Sequence, residues 1–234
     1  MNNGFDAGID LVAHNLGELP AGKSYLLSGE HGTAKTTFVL QFLHQGLKER
    51  RTCVLVSNQP PKALVAHAET MGMNLSPFLK NGTLLMYEIA RKDSYSPAEL
   101  FRELEAVVAE NPASRFAFEG LAQSPVSSGP DGSLADGIVA LLRKLEGMKT
   151  TSFVTLALPV SQPLSPLKEA LENAATGSFL LESTSNERVK GFFVRKLAGA
   201  RLDGAEFPFT VESGRGVVEV MKTSAIKFPR HDGH

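Results

Sequence analysis

The stretch Gly29-Glu30-His31-Gly32-Thr33-Ala34-Lys35-Thr36-Thr37 decides how the rest of the chain is interpreted. The apolar run Tyr25-Leu26-Leu27 precedes it, and a helical pattern from Phe38 to Leu47 follows it. A glycine-containing turn between a strand and a helix, ending in a lysine and a hydroxyl residue, is typical of a phosphate-binding loop. In such a loop backbone N–H groups hold phosphate oxygens, the lysine faces the β/γ charge and the hydroxyl reaches Mg²⁺. The sequence therefore predicts nucleotide contacts at Gly29, Gly32, Thr33, Ala34, Lys35, Thr36 and Thr37.

Ala34 stands where this motif has its second glycine. If the position requires a positive φ, the Cβ of Ala34 costs about 1 kcal/mol. A cost of that size weakens a phosphate site without abolishing it, and Gly32 is available to form part of the turn. On the loop sequence alone, an ordinary strand-to-helix turn without a ligand stays open as the alternative.

Bulk composition limits the class of protein. The 234 residues contain no Pro/Ser/Gly linker that divides them, so we expect one domain over residues 1–221, followed by a flexible tail over 222–234. The 24 basic and 25 acidic side chains leave a net charge of −1, which disfavours nucleic acid and membrane partners.

The N-terminal residues lack a signal-peptide pattern and no apolar run has the length of a membrane span, so we expect a cytoplasmic protein. Cys53, in an apolar run, is expected to be buried.

Apolar β-branched segments alternate with amphipathic ones, which predicts an α/β fold with a mostly parallel sheet flanked by helices. The predicted strands are Ser24–Ser28, Cys53–Ser57, Thr83–Tyr87, Arg115–Phe118 and Ser152–Leu158, and the predicted helices are Lys35–Leu47, Pro61–Met71, Pro97–Glu110 and Leu134–Gly147. Ser96 is a candidate cap for the third helix. C-terminal antiparallel hairpins are predicted from Gly177–Ser183, Val189–Lys196, Phe207–Val211 and Val217–Val220. Gln123–Ser133 and the tail are predicted to be irregular.

With the loop and this element order in view, the chain resembles a single ATPase domain of the KaiC-like branch of the RecA superfamily of P-loop NTPases. The resemblance covers nearly the whole chain. It rests on Phe5-Asp6 through Gly17–Ser24, on Phe38–Gly46, and on Glu206-Phe207-Pro208-Phe209-Thr210-Val211. It implies a RecA-like core that binds ATP or ADP with Mg²⁺ between the subunits of a homo-oligomeric, usually hexameric, ring. A protein partner is also expected, but the sequence does not identify it.

The segment Ser57-Asn58-Gln59-Pro60-Pro61 departs from the family pattern. It falls where the family has two glutamates at a strand end, and the resemblance gives them the catalytic role of activating the attacking water. Asn58 and Gln59 are amides, which orient a water but do not accept its proton at neutral pH. Loss of a general base costs about 10²–10⁴-fold in rate. Without the resemblance, the same residues are interpreted as a polar strand-to-helix turn.

Two further positions differ from the family. Glu119 stands where the second nucleotide-binding motif has an aspartate. Glutamate is one methylene longer, so its carboxylate is expected to be displaced by about 1.5 Å. Glu119 and Thr36 are the candidate Mg²⁺ ligands. The family has a Lys-Leu-Arg-Gly motif whose cations reach the neighbouring subunit's phosphate, and it matches Lys196-Leu197-Ala198-Gly199 here. Ala198 thus replaces an arginine, and arginines with this role raise the hydrolysis rate of other NTPases about 10³–10⁵-fold. The alternatives are a solvated strand end for Glu119 and a surface cation for Lys196.

These departures favour a nucleotide-binding domain with slow or no hydrolysis that serves as a regulatory or scaffolding module. The enzyme alternative is an active ATPase or autokinase, in which Gln59 or Glu30 compensates for the missing glutamates. A third hypothesis is a RecA-like DNA-handling protein with Gln123–Ser133 as a pore loop. The near-zero net charge disfavours it.

Overall fold

A nine-stranded β-sheet forms the centre of the protein in a computed structural model. The structure describes residues 4–89, 96–120, 133–157, 166–186, 188–202, 204–221 and 226–227. The strands are β1 (Gly4–Phe5), β2 (Leu19–Pro20), β3 (Ser24–Gly29), β4 (Cys53–Ser57), β5 (Leu84–Glu88), β6 (Arg115–Glu119), β7 (Thr151–Ala157), β8 (Gly177–Ser183), β9 (Lys190–Leu197), β10 (Glu206–Glu212) and β11 (Gly216–Glu219). The helices are α1 (Asp10–Leu16), α2 (Lys35–Lys48), α3 (Pro61–Thr70), α4 (Ser76–Lys80), α5 (Pro97–Glu110), α6 (Ser133–Gly147) and α7 (Pro166–Ala174).

The order of the strands is β11-β10-β9-β8-β3-β7-β6-β4-β5. The strands from β8 to β5 in this order are parallel, whereas β9, β10 and β11 are antiparallel additions at one side. This confirms the predicted α/β class, with a mostly parallel sheet and C-terminal antiparallel strands. Because parallel strands end at one edge of a sheet, the loops after β3, β4, β6 and β7 meet there. β1 and β2 pair separately.

Two hydrophobic clusters cover the two faces of the sheet, because successive strand residues point to opposite faces. One cluster packs α1, α2 and α3 on the sheet and the other packs α5, α6 and α7. The first is rich in aromatic rings. The ring centroids of Phe42 and Phe153 lie 4.8 Å apart, and those of Phe179 and Phe192 lie 5.1 Å apart. The first of these contacts joins Phe42 of α2 to the sheet, and the first residues of this helix belong to the phosphate loop. Cys53 is fully buried, as predicted.

All the predicted helices are present, with ends that differ by no more than one residue. The cap of α5 is also confirmed. The Ser96 hydroxyl accepts a hydrogen bond from the Glu99 N–H at 3.3 Å, and the Glu99 carboxylate accepts one from the Ser96 N–H at 3.0 Å. This reciprocal pair satisfies two backbone donors at the start of the helix.

The sequence pattern does not predict α1, α4 or α7. All three are short, and α7 ends just before the first segment predicted as part of the C-terminal hairpins. The predicted irregular stretch Gln123–Ser133 lies outside the described residues except for Ser133, which begins α6. Of the predicted tail only Ile226 and Lys227 are described, and the Lys227 carbonyl accepts a hydrogen bond from the Ser185 N–H. Among the described helices, none combines the length and the apolar character needed to cross a membrane.

Candidate functional site

The loop between β3 and α2, counted from Gly29, contains three residues with positive φ. Ala34, the last residue before α2, has φ 75° and ψ 19°, so the positive φ considered at this position is present. Gly29 has φ 151°, and a Cβ there would lie 2.2 Å from the Leu181 carbonyl oxygen. Gly32 has φ 77°. Ala34 therefore carries the cost of about 1 kcal/mol, while glycine occupies the two other strained positions.

Lys35 folds back over the loop. Its Nζ donates hydrogen bonds to the carbonyl oxygens of Gly29, at 2.8 Å, and Glu30. Burial lowers the pKa of Lys35 to about 8, and the negative charges of Glu119 and Glu30 oppose that change. An anion in the loop would take the place of these carbonyl contacts and favour the charged ammonium.

The Glu119 carboxylate lies against the start of α2. Glu119 as a residue is 7% exposed, and its Oε1 accepts a hydrogen bond from Thr36 Oγ1 at 2.9 Å. Its Oε2 accepts a hydrogen bond from Ser57 Oγ at 2.7 Å. The extra methylene therefore does not separate this carboxylate from the Thr36 hydroxyl. A buried carboxylate beside a hydroxyl is an oxygen donor set of the kind that Mg²⁺ prefers, so these residues fit that ion.

The two amides that replace the family glutamates have different environments. Gln59 Nε2 donates to both oxygens of Glu119, at 3.2 and 3.3 Å, and the Gln59 side chain lines the cleft. Asn58 lies beside the residue that follows β6 instead, where its Nδ2 donates to the Gly120 carbonyl oxygen at 3.4 Å. The structure thus brings Gln59, but not Asn58, to the carboxylate and the loop.

A cleft of about 340 Å³ opens above the loop, within the usual size range of small-molecule sites. Sequence reasoning missed several residues that line it, among them His67 and Met71 on α3, Thr155 on β7 and Lys190 on β9. Lys190 arrives because β9 runs antiparallel to β8, which pairs Lys190 with Ser183 at the edge where the parallel strands end. No local motif marks these positions, since only the topology brings them to the loop.

Lys196 lies away from this cleft. It pairs with Ser178 at the start of β8, and its Nζ donates to the carbonyl oxygens of Glu172, at 3.0 Å, and Asn173. Leu181, the β8 partner of Gly29, lies three residues further along the strand, which corresponds to about 10 Å. Within one chain, Lys196 therefore does not reach the phosphate loop. Its predicted role across a subunit interface stays a prediction.

The central parallel sheet, the loop after β3 and the acid at the end of β6 define a RecA-like P-loop NTPase domain. The sequence profile described as "ATPase: KaiC" matches residues 3–224, so the chain belongs to the KaiC ATPase family. It is similar to the circadian clock protein KaiC3 of Synechocystis sp., with 23% identity over 232 residues that cover 94% of this chain and 45% of that protein. It is also similar to the circadian clock oscillator protein KaiC of Nostoc sp., with 22% identity over 219 residues that cover 87% of this chain and 41% of that protein.

The chain thus spans less than half the length of these curated relatives. Among solved structures, a KaiC-like protein from the archaeon Pyrococcus horikoshii OT3 has the same fold. Its TM-score is 0.78 at 21% identity, and the match covers 94% of this chain and 100% of that chain.

Proposed function

We propose that this domain binds ATP or ADP with Mg²⁺ and hydrolyses ATP slowly or not at all, so that it serves as a regulatory or scaffolding module. One observation carries the proposal. Lys35, Thr36 and Glu119 line one cleft, whereas the side chain beside them, Gln59, is an amide bonded to Glu119. Two departures, Ala34 and Glu119, fall on the binding residues and leave the loop and the Thr36 contact in place, whereas those at Gln59 and Ala198 remove catalytic groups.

The binding half of the site uses Lys35, Thr36 and Glu119. The Lys35 ammonium exchanges loop carbonyls for phosphate oxygens, which keeps it charged and hydrogen-bonded. The Thr36 hydroxyl and the Glu119 carboxylate would hold Mg²⁺, which supplies positive charge beside the phosphates when bound. The N-terminus of α2 adds its backbone N–H groups and its dipole.

The catalytic half lacks a proton acceptor at the Gln59 position. Hydrolysis requires an oriented water and a group that takes its proton. Gln59 directs its N–H₂ to Glu119, so only its amide oxygen is left to orient a water, and an amide oxygen does not take up the proton at neutral pH. Loss of the base lowers the rate about 10²–10⁴-fold, and alanine in place of the arginine at position 198 removes further transition-state stabilisation.

An active ATPase or autokinase is the second candidate, and one observation favours it. The negative charge of Glu30 opposes the lowering of the Lys35 pKa, so this acid is close enough to influence the ammonium that would face the β/γ-phosphates. If Glu30 activates the water, Glu30→Gln will abolish measurable turnover. If hydrolysis is instead residual, Glu30→Gln will leave the slow rate within about twofold of wild type.

Calorimetric titration with ATP and ADP in the presence of Mg²⁺ tests binding. We expect Lys35→Ala to remove most of the affinity, because the ammonium is the main positive charge of the loop. Lys62→Ala is the matched control, since Lys62 is exposed on α3. Absence of heat with wild-type protein, or equal binding by Lys35→Ala, would contradict the proposal.

Assembly is a separate part of the proposal. Lys196 does not reach the loop of its own chain, so a role at phosphate requires a second copy. We therefore expect a homo-oligomer, built from a head-to-tail interface that closes into a ring, with weak dependence on ATP because position 198 carries no cation. Light scattering with and without MgATP tests this. A monomer at high concentration in both conditions would refute the ring.

A further inference from the structure

A pair of side chains beside the phosphate loop has no role in the binding scheme above. His67 Nε2 on α3 lies 2.9 Å from Thr37 Oγ1 on α2. Both residues line the cleft, and Thr37 as a residue is only 3% exposed. Thr36 bonds to Glu119 on one side of the loop, whereas Thr37 bonds to α3 on the other.

The direction of this hydrogen bond decides what Thr37 offers a ligand. A hydroxyl has one proton and two lone pairs, and a neutral imidazole donates from one nitrogen and accepts at the other. If Nε2 carries no proton, Thr37 donates its proton to His67 and turns a lone pair to the cleft. If Nε2 carries the proton, His67 donates, and the Thr37 proton is available to an acceptor in the cleft. An anion in the cleft therefore selects the second arrangement.

We propose that His67 is a positioning residue for the nucleotide: its Nε2–H donates to Thr37 Oγ1 and so directs the Thr37 proton to a phosphate oxygen. This inference rests on the proposed nucleotide-binding function. In a phosphate loop the lysine reaches the β/γ-phosphates and the loop N–H groups hold the α/β-phosphates. We assign Thr37 to the α/β side, because it lies two residues beyond Lys35 in α2. The contact therefore concerns phosphates that ATP and ADP share.

The position of α3 supports this role, because the helix is anchored along its apolar face and at its C-terminal end. Leu64 and Ala68 of α3 are buried in the core. At the end of the helix, the Thr70 carbonyl oxygen accepts hydrogen bonds from Gly214 N–H at 2.8 Å and Ser213 Oγ at 3.1 Å. His67 is thus preorganised against Thr37 before any ligand binds.

Titration calorimetry with MgADP and MgATP tests the pair in a double-mutant cycle of His67→Ala and Thr37→Val. We expect Thr37→Val to weaken the binding of ATP and ADP by the same factor of roughly ten or more, the typical value of a hydrogen bond to a charged group. His67→Ala should weaken the binding of both by roughly fivefold, the value of a neutral hydrogen bond, because the Thr37 hydroxyl stays present but is no longer oriented. The double variant is expected to bind no more weakly than Thr37→Val alone, because His67 acts through Thr37.

His67→Gln provides the rescue, since its amide N–H₂ is a permanent donor of similar reach. We expect it to recover affinity to within about threefold of wild type, and thermal unfolding confirms that each variant is folded. Unchanged binding by His67→Ala, additive losses in the double variant, or no recovery in His67→Gln would overturn the inference. A wild-type protein that binds no nucleotide would instead overturn the proposed function, together with this role.

Discussion

Gln59→Glu is expected to destabilise the protein when Mg²⁺ is absent. Gln59 Nε2 lies 3.2 and 3.3 Å from the two Glu119 oxygens, so the substitution puts a carboxylate oxygen where an N–H donor now lies. Two unit charges at that distance repel by roughly 5 kcal/mol at an effective dielectric constant of 20, and by roughly 1 kcal/mol in water. Because the side chain at position 59 is only half-buried and is able to turn toward solvent, we expect a loss of about 1–3 kcal/mol at pH 8.

The loss of stability in Gln59→Glu is expected to increase with pH, because the two carboxylates repel each other only when both are charged. Two adjacent carboxylates raise the pKa of the pair in the folded state above that in the unfolded state. The folded variant then binds more protons than the unfolded chain, so its stability falls as the pH rises from 5 to 8. Mg²⁺ bound beside Glu119 is expected to recover part of the loss.

Urea unfolding at pH 5 and pH 8, with and without Mg²⁺, measures both effects. Gln59→Leu is the control, because it removes the same hydrogen bonds without adding a charge, and its smaller loss should not vary with pH relative to wild type. If Gln59→Glu is as stable as wild type at pH 8 without Mg²⁺, Gln59 is not bonded to Glu119. The Gln59 N–H₂ would then also be available to a water, contrary to the proposed arrangement.

Three further predictions concern the loop and the core. Ala34→Gly should raise the free energy of unfolding by about 0.5 kcal/mol in urea titrations, because relief of the positive φ exceeds the added entropy of the unfolded chain. Burial lowers the pKa of Lys35 in the folded state from 10.5 to about 8, so between pH 8 and pH 10.5 the unfolded chain binds more protons than the folded one. The free energy of unfolding should therefore rise with pH over this range, and Lys35→Met should remove that rise in thermal melts. Gly46→Ala should lower the free energy of unfolding by about 1–3 kcal/mol, because its Cβ would lie 2.5 Å from Arg115 Cδ. The control is Gly147→Ala, whose Cβ meets nothing within 4 Å and which should be neutral or slightly stabilising in the same unfolding assay.

The sequence was sufficient for features that depend on local signals. The helix α5 has a Ser-Pro start and regular apolar spacing, so both its ends were predictable. The phosphate loop was recognisable because its glycines, lysine and hydroxyls are contiguous. The cost at Ala34 was also predictable, because it depends on one backbone angle.

Features that depend on long-range contacts were not predictable. Lys190 and His67 reach the cleft from a distant hairpin and from the middle of a helix, and neither belongs to a motif. The length of the Glu119 side chain suggested a displaced carboxylate, yet its contact with Thr36 depends on how closely β6 approaches α2. The helix α7 is too short for its apolar spacing to distinguish it from a loop.

The most direct test of nucleotide binding without rapid turnover is the identity of the nucleotide that stays bound. Protein incubated with equimolar MgATP is separated from free nucleotide, denatured and analysed by chromatography over time. We expect intact ATP on the wild-type protein for many minutes, and no nucleotide on Lys35→Ala. Bound ADP, with phosphate released at about 1 s⁻¹ as in ordinary enzymes, would contradict that claim.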